Sequence, residues 1–301
     1  MRYLLQLAIL GVALLLPGSL TAQTPSNAVN HYRDGAKKIG KGDLDGAIEE
    51  YSRAITISSR LSSKNESETA NISVLDPLTA NAYANRGVVR FRKRDFLGAI
   101  ADFNAALRIR PSLAIVYLNR AAALRELGQL QDALADLNKA LSLKSDLFEA
   151  YNNRGAVRHD LGDLKGALED FNHAIKLKSK APEPHYLRGY LLIALKDFNG
   201  AIADFNEALK LAPEMAPAYQ GRGTALMSQY EMDKAIDDFT RALDLDPDMV
   251  WAYFNRGLAL FMKGEDARAQ ADFQKVSAMS PELMPDLERR IELARTIRPK
   301  K

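Results

Sequence analysis

The stretch AYANRG, residues 82–87, returns as VYLNRA at 116–121, AYNNRG at 150–155, PHYLRG at 184–189, AYQGRG at 218–223 and AYFNRG at 252–257. One constant step separates each copy from the next, with anchors at Tyr83, Tyr117, Tyr151, His185, Tyr219 and Tyr253. A second pattern keeps the same step: AIADF at 99–103, ALADL at 133–137, ALEDF at 167–171, AIADF at 201–205, AIDDF at 235–239 and AQADF at 269–273. Copies close on Pro111, Pro213, Pro247 and Pro281, with Ser145 and Ser179 standing in at two. Working backwards, Gly35 and AIEEY at 47–51 place a further copy over residues 28–57. A fixed period of about 34 residues is the mark of a stacked repeat architecture.

Each unit divides into two segments with apolar residues at three- and four-residue spacing, as in Leu168, Phe171 and Ile175. That spacing predicts a pair of amphipathic helices. Helices of about 13 residues do not hold themselves in water, so neighbouring pairs must stack to bury a shared core.

At these residues the chain resembles the tetratricopeptide repeat family, whose pattern is an aromatic, then Gly, then A-x3-F, then Pro. In the copy at 80–113 those positions are Tyr83, Gly87, Ala99, Phe103 and Pro111. The resemblance covers residues 28–283. It implies an all-α, right-handed superhelical solenoid of antiparallel helix pairs. The first repeat would occupy 28–57, a polar insertion 58–79, six tandem repeats 80–283, and a capping helix with a basic tail 284–301. In the last segment Leu283, Leu287, Ile291 and Ala294 form the apolar stripe expected of a cap, and Arg298, Lys300 and Lys301 follow it.

The glycine of the motif costs roughly 1 kcal/mol inside a helix. It predicts a close approach by the partner helix, with Ala99 and its equivalents as the small residues facing it. The arginine departs from the family pattern, which has leucine there. Buried charge needs a counter-charge, and an aspartate follows each arginine at one unvarying separation. The expected structural pairs are Arg86 with Asp102, Arg120 with Asp136, Arg154 with Asp170, Arg188 with Asp204, Arg222 with Asp238 and Arg256 with Asp272. The first copy carries Asp34 and Glu50 at these places, so the pair is lost there as a unit.

The resemblance also implies that first helices line a groove and contact a partner from their second, fifth, ninth, twelfth and thirteenth positions. Carried over, these are Phe91, Arg92, Arg125, Asn152, His159, Asp160, Tyr186, Tyr190, Gln220, Met227, Trp251, Phe254 and Met262. The fifth position runs Tyr32, Ala84, Leu118, Asn152, Tyr186, Gln220 and Phe254, which lacks the carboxylate clamp of chaperone-tail-binding relatives. Trp251, the only tryptophan, joins Tyr186, Tyr190, Phe254 and Met262 either as an aromatic peptide-binding wall or as padding of the inter-repeat core.

Of 301 residues, 47% are hydrophobic and 26% charged, an ordinary globular balance, and the net charge of +3 does not call for nucleic acid. The charge is uneven: residues 79–125 hold nine Lys/Arg against two Asp/Glu, and residues 200–250 hold four against ten. Such stretches could attract an acidic partner or a second copy of the chain. The absence of cysteine excludes disulfides, thiolate nucleophiles and cysteine zinc sites. His31, His159, His173 and His185 have no metal-ligand spacing, and no nucleotide-binding or nucleophile motif is present. No cofactor and no catalytic residue is expected.

Residues 1–22 pair a basic Arg2 with an apolar run from Tyr3 to Leu16, then a Pro-Gly break and small residues. That is the layout of a secretory signal cleaved after Ala22. The run is shorter than the roughly 20 residues that span a bilayer, so a membrane is involved only if the segment stays as an anchor. The chain is expected to be exported, periplasmic or secreted, with a bacterial source favoured. The insertion near 58–79 is Ser/Asn-rich and is expected to form a surface loop, with a helical extension possible. It carries the sequons Asn65-Glu66-Ser67 and Asn71-Ile72-Ser73. The function expected is a protein or peptide scaffold. The alternatives are an assembly subunit resembling pilus-assembly accessory proteins, working through oligomer contacts, and a sugar-stacking module.

Overall fold

The computed structural model describes residues 26–64 and 69–297. The signal segment, Asn65 and the basic tail therefore lie outside the described residues. Fifteen α-helices follow one another, and no strand occurs among the described residues. They are α1 (Ser26–Gly40), α2 (Leu44–Lys64), α3 (Thr69–Arg92), α4 (Phe96–Ile109), α5 (Ala114–Glu126), α6 (Leu130–Leu143), α7 (Phe148–Asp160) and α8 (Leu164–Leu177). There follow α9 (Pro182–Ala194), α10 (Phe198–Leu211), α11 (Ala216–Ser228), α12 (Met232–Leu245), α13 (Val250–Lys263), α14 (Asp266–Met279) and α15 (Met284–Ile297). A short 3₁₀ turn, Pro281–Leu283, precedes α15.

The chain forms two compact units that divide between Asp170 and Phe171. In unit 1 the pairs α1/α2, α3/α4 and α5/α6 pack along their lengths, and each second helix also packs on the first helix of the next pair. Unit 2 repeats the arrangement with α9/α10, α11/α12 and α13/α14. First helices of successive pairs touch one another, and second helices do so far less. Each unit is therefore curved, with first helices on the inner side.

The turns between paired helices have a common chemistry. Asp43, Asp95, Asp163 and Asp197 accept the backbone N–H of Gly46, Gly98, Gly166 and Gly200 at 2.9 Å, satisfying a donor that the helix leaves unpaired. The preceding residue takes a left-handed conformation, supplied by glycine at Gly42, Gly128, Gly162 and Gly264. Arg94, Lys196 and Tyr230 adopt it without that freedom.

The motif glycine opposes a ring, which corrects the expectation of facing alanines. A methyl on Gly87 would lie 2.7 Å from Phe103 Cε1, and one on Gly223 would lie 2.8 Å from Phe239 Cε1. Gly35 faces Tyr51 in the same way. Ala121 replaces the glycine where Leu137 replaces the ring, so the size of one residue tracks the size of the other. Phe205 is clamped twice, by Gly189 of its own pair and by Gly221 of the next.

The described residues of the insertion at 58–79 are helical: residues 58–64 continue α2, and residues 69–79 open α3 ahead of its repeat portion, with Pro77 inside. Asn71 thus sits on a helix backbone. At the far end, Leu287 and Ala294 are buried, and Leu283, Met284 and Ile291 pack on the last pair, closing the stack.

Candidate interaction surface

The arginine of each motif is held from three sides. Its Nε and Nη2 donate to the two carboxylate oxygens of the motif aspartate in the second helix of the same repeat. The six pairs are Arg86–Asp102, Arg120–Asp136, Arg154–Asp170, Arg188–Asp204, Arg222–Asp238 and Arg256–Asp272, all at 2.6–2.9 Å. The parallel fork is the strongest geometry open to these groups. The third prong, Nη1, donates to the preceding repeat: Arg86 to Ser52, Arg120 to Asn104, Arg154 to Asn138, Arg188 to Asn172, Arg222 to Asn206 and Arg256 to Thr240, at 2.6–3.1 Å. One guanidinium thus joins both helices of its own repeat to the second helix before it.

The motif tyrosine completes the seat. Arg86, Arg120, Arg154, Arg222 and Arg256 lie 5.3–5.6 Å from the ring centres of Tyr83, Tyr117, Tyr151, Tyr219 and Tyr253, a cation–π distance. Where histidine replaces tyrosine it turns to the carboxylate instead. His185 Nδ1 lies 3.2 Å from Asp204 Oδ1, and His31 Nδ1 lies 2.6 Å from Glu50 Oε2. Glu50, which has no motif arginine, also accepts from Arg53, and Asp34 accepts from Lys37. Burial alone would raise the Asp204 carboxyl, but hydrogen bonds from Arg188 and His185 hold it below its ordinary value. The bonds to Asp136, Asp238 and Asp272 push Arg120, Arg222 and Arg256 up against the effect of burial.

In unit 1 two carboxylates carry a second guanidinium: Arg90 and Arg158 donate to Asp102 and Asp170 at 2.9 Å. Lys93 pairs with Asp45, and Arg125 donates to Asp160 at 2.7 Å. Much of the basic stretch is therefore neutralised internally. Burial would raise Asp160, and His159 and Arg125 together hold it down.

The groove positions separate by depth. Phe91, Tyr186 and Phe254 are 4%, 0% and 0% exposed, so they belong to the core: Phe91 is corrected from a groove-lining position, and Tyr186 and Phe254 are padding of the core, not a surface wall. Phe91 packs edge-on against Phe96 at 5.3 Å, and Tyr186 against Tyr190 and Phe205. Arg125 and His159 close on Asp160, while Arg92 is exposed. Tyr190 is half-buried and its hydroxyl donates to the Pro217 carbonyl at 3.1 Å. Burial, then the neighbouring Tyr190, pushes the Tyr186 phenol well above its ordinary value, so it stays neutral. Gln220, Met227, Trp251 and Met262 are half-buried. Trp251 rests on Phe254 with ring centres 5.0 Å apart. Side-chain oxygens of Asn81, Asn152, Tyr186 and Gln220, all on first helices, are buried without a hydrogen-bond partner among the described residues.

Ile193 and Phe261 escaped the sequence reading. They share the repeat register of Met227 and are likewise half-buried. The register alone could have found them. Among the described residues no metal-binding cluster occurs, and no helix is long and apolar enough to cross a membrane.

Curved units of paired helices, tied rung to rung and carrying side chains on an inner face, define an α-helical repeat scaffold. The chain belongs to the tetratricopeptide repeat family. Profiles described as TPR repeat match residues 122–162, 157–195 and 223–264, and those described as tetratricopeptide repeat match 182–215 and 69–114. The fold is similar to that of a tetratricopeptide repeat protein from Parabacteroides merdae ATCC 43184. That likeness has a TM-score of 0.66 and 21% identity, over 89% of this chain and 100% of the other. A chain of the APC/C hetero-tetramer Cut9-Hcn1 gives 0.66 and 18% over 88% of this chain and 53% of its own. Pseudomonas aeruginosa pilF gives 0.60 and 18% over 67% and 92%. At these identities the likeness is one of fold. No curated protein matches the sequence. Proteins of this family are generally non-enzymatic, and membership supports a protein-interaction scaffold.

Proposed function

We propose that the chain is an exported scaffold of the cell envelope that holds a segment of a partner protein against the inner faces of its first helices. Residues 1–22, with their basic start and apolar run, support export. The observation that carries the binding reading is the set of half-buried, largely apolar side chains at inner positions of unit 2, among them Met227, Trp251 and Met262. They stand on helices fixed by the arginine forks, and a pre-formed surface loses little entropy on binding.

The test is affinity capture from the envelope fraction with the mature chain, repeated with Trp251→Ala. A specific partner that the variant loses at unchanged helical content supports the reading. Equal capture by both places the interface elsewhere. If the chain instead gains mass with concentration and captures nothing, it acts as an assembly subunit through contacts with itself.

A further inference from the structure

We infer that the inner face of unit 2 takes an uncharged, apolar segment in extended conformation; this rests on the scaffold reading above. The three first helices of unit 2 carry few charges, and nearly all are cancelled within the molecule. Arg188, Arg222 and Arg256 are forked to Asp204, Asp238 and Asp272. Lys263 is paired with both Asp233 and Glu265. Glu183, in the first turn of α9, is the one charge left on these helices without an ion-pair partner among the described residues.

A groove that selects an acidic tail or a phosphate needs unspent cations facing it. This face has none to offer. What it presents is a column at a single register, Ile193, Met227 and Phe261, one residue per inner helix and all half-buried. Trp251 and Met262 flank the column on α13. Aromatic anchors dominate binding energy where water is excluded, and methionine adapts its shape to varied side chains.

The conformation of the segment follows from Gln220. It lies two turns before Met227, on the same face of α11. Its side-chain carbonyl has no donor among the described residues. A helical ligand has already used its backbone N–H groups internally. An extended one keeps them free, so it can supply the donor that the Gln220 oxygen lacks.

Trp251 is the only tryptophan, so its emission reports on this face alone. The experiment titrates the full mature chain with two tryptophan-free dodecapeptides, acetylated and amidated so that their ends are neutral. One is uncharged and built of Val, Leu and Phe with Ser spacers; the other is acidic. The expected result is a saturable blue shift with the uncharged peptide, unchanged between about 0.05 and 0.5 M salt, where screening would weaken an ionic contact. Met227→Glu should weaken binding by at least about 30-fold, the scale of losing a central anchor. Gln220→Met, which keeps size and helix preference, should weaken it about 5-fold with no change in thermal midpoint, the scale of one hydrogen bond. Lys139→Ala, exposed on α6 in unit 1, should leave the binding unchanged.

No saturable response to the uncharged peptide, a response to the acidic one alone, or binding that salt abolishes overturns the inference. Full-strength binding by Gln220→Met overturns the extended conformation, even if Met227→Glu proves unfolded. An envelope partner captured while the uncharged peptide stays inert sinks this inference and leaves the scaffold reading standing. Failure of both capture and peptide sinks the two together.

Discussion

The inner helices of unit 1 and unit 2 are built on one plan and finished differently. In unit 1, α3, α5 and α7 carry Arg90, Arg92, Arg125, Glu126, Arg158, His159 and Asp160 beyond the motif arginines, and Lys93 follows α3 directly. Several of these are spent on one another or on the ladder, where Asp102 and Asp170 each hold two guanidinium groups. In unit 2, Asp238 and Asp272 hold one arginine each, and the column that reads Phe91, Arg125 and His159 in unit 1 reads Ile193, Met227 and Phe261. The same scaffold therefore carries two different inner faces. In unit 1 the inner-face charges close on one another and on the ladder, and in unit 2 the same register is apolar.

The largest effect that would sharpen this contrast is at the doubly held carboxylate. Asp102→Ala leaves Arg86 and Arg90 without their shared counter-charge and should cost about 3–5 kcal/mol by urea unfolding. Asp238→Ala, which strands one arginine, should fall at or below the lower end of that range. Equal costs at the two positions would break the contrast. Next comes the clamp around Phe205. Gly221→Ala drives a methyl into a ring with no exposed surface, and overpacking of this kind costs about 1–3 kcal/mol. Gly40→Ala, with open space around it, is the control and should cost nothing.

The smallest effect is acid sensitivity at Asp204. Its pKa is lower folded than unfolded, so its stabilisation is complete above the ordinary carboxylate range and fades as pH falls through the folded value. The wild type and Asp204→Asn should differ in thermal midpoint at neutral pH and converge in acid. A constant gap down to the acid limit would show that His185 and Arg188 stabilise by shape alone.

The fold was legible in the sequence because a single period survives every substitution between the copies. The forks were legible for the same reason: Arg and Asp keep one separation throughout, and a buried guanidinium demands a counter-charge. Their third prong was not, because its acceptor varies among Ser, Asn and Thr and belongs to a helix whose proximity only stacking reveals. Register also gave no depth. Phe91, Tyr186 and Phe254 hold groove positions in sequence yet lie in the core, since a repeat position names a face and not a depth. The insertion was legible only in part: its Ser and Asn favour turns locally, and the helical extension that the sequence left open is what residues 58–64 and 69–79 form.

The rung at Arg86 has a consequence for how such a chain can change length. Arg86 reaches Ser52 across 34 residues, whereas Arg120, Arg154, Arg188, Arg222 and Arg256 reach their acceptors across 16. The surplus chain was absorbed by lengthening two helices past the rung, and the bond still closes. What the stack counts is arrivals of side chains and not residues travelled. A tag or domain grafted beyond a rung, between one repeat and the next, therefore has a route into this protein that leaves its register untouched.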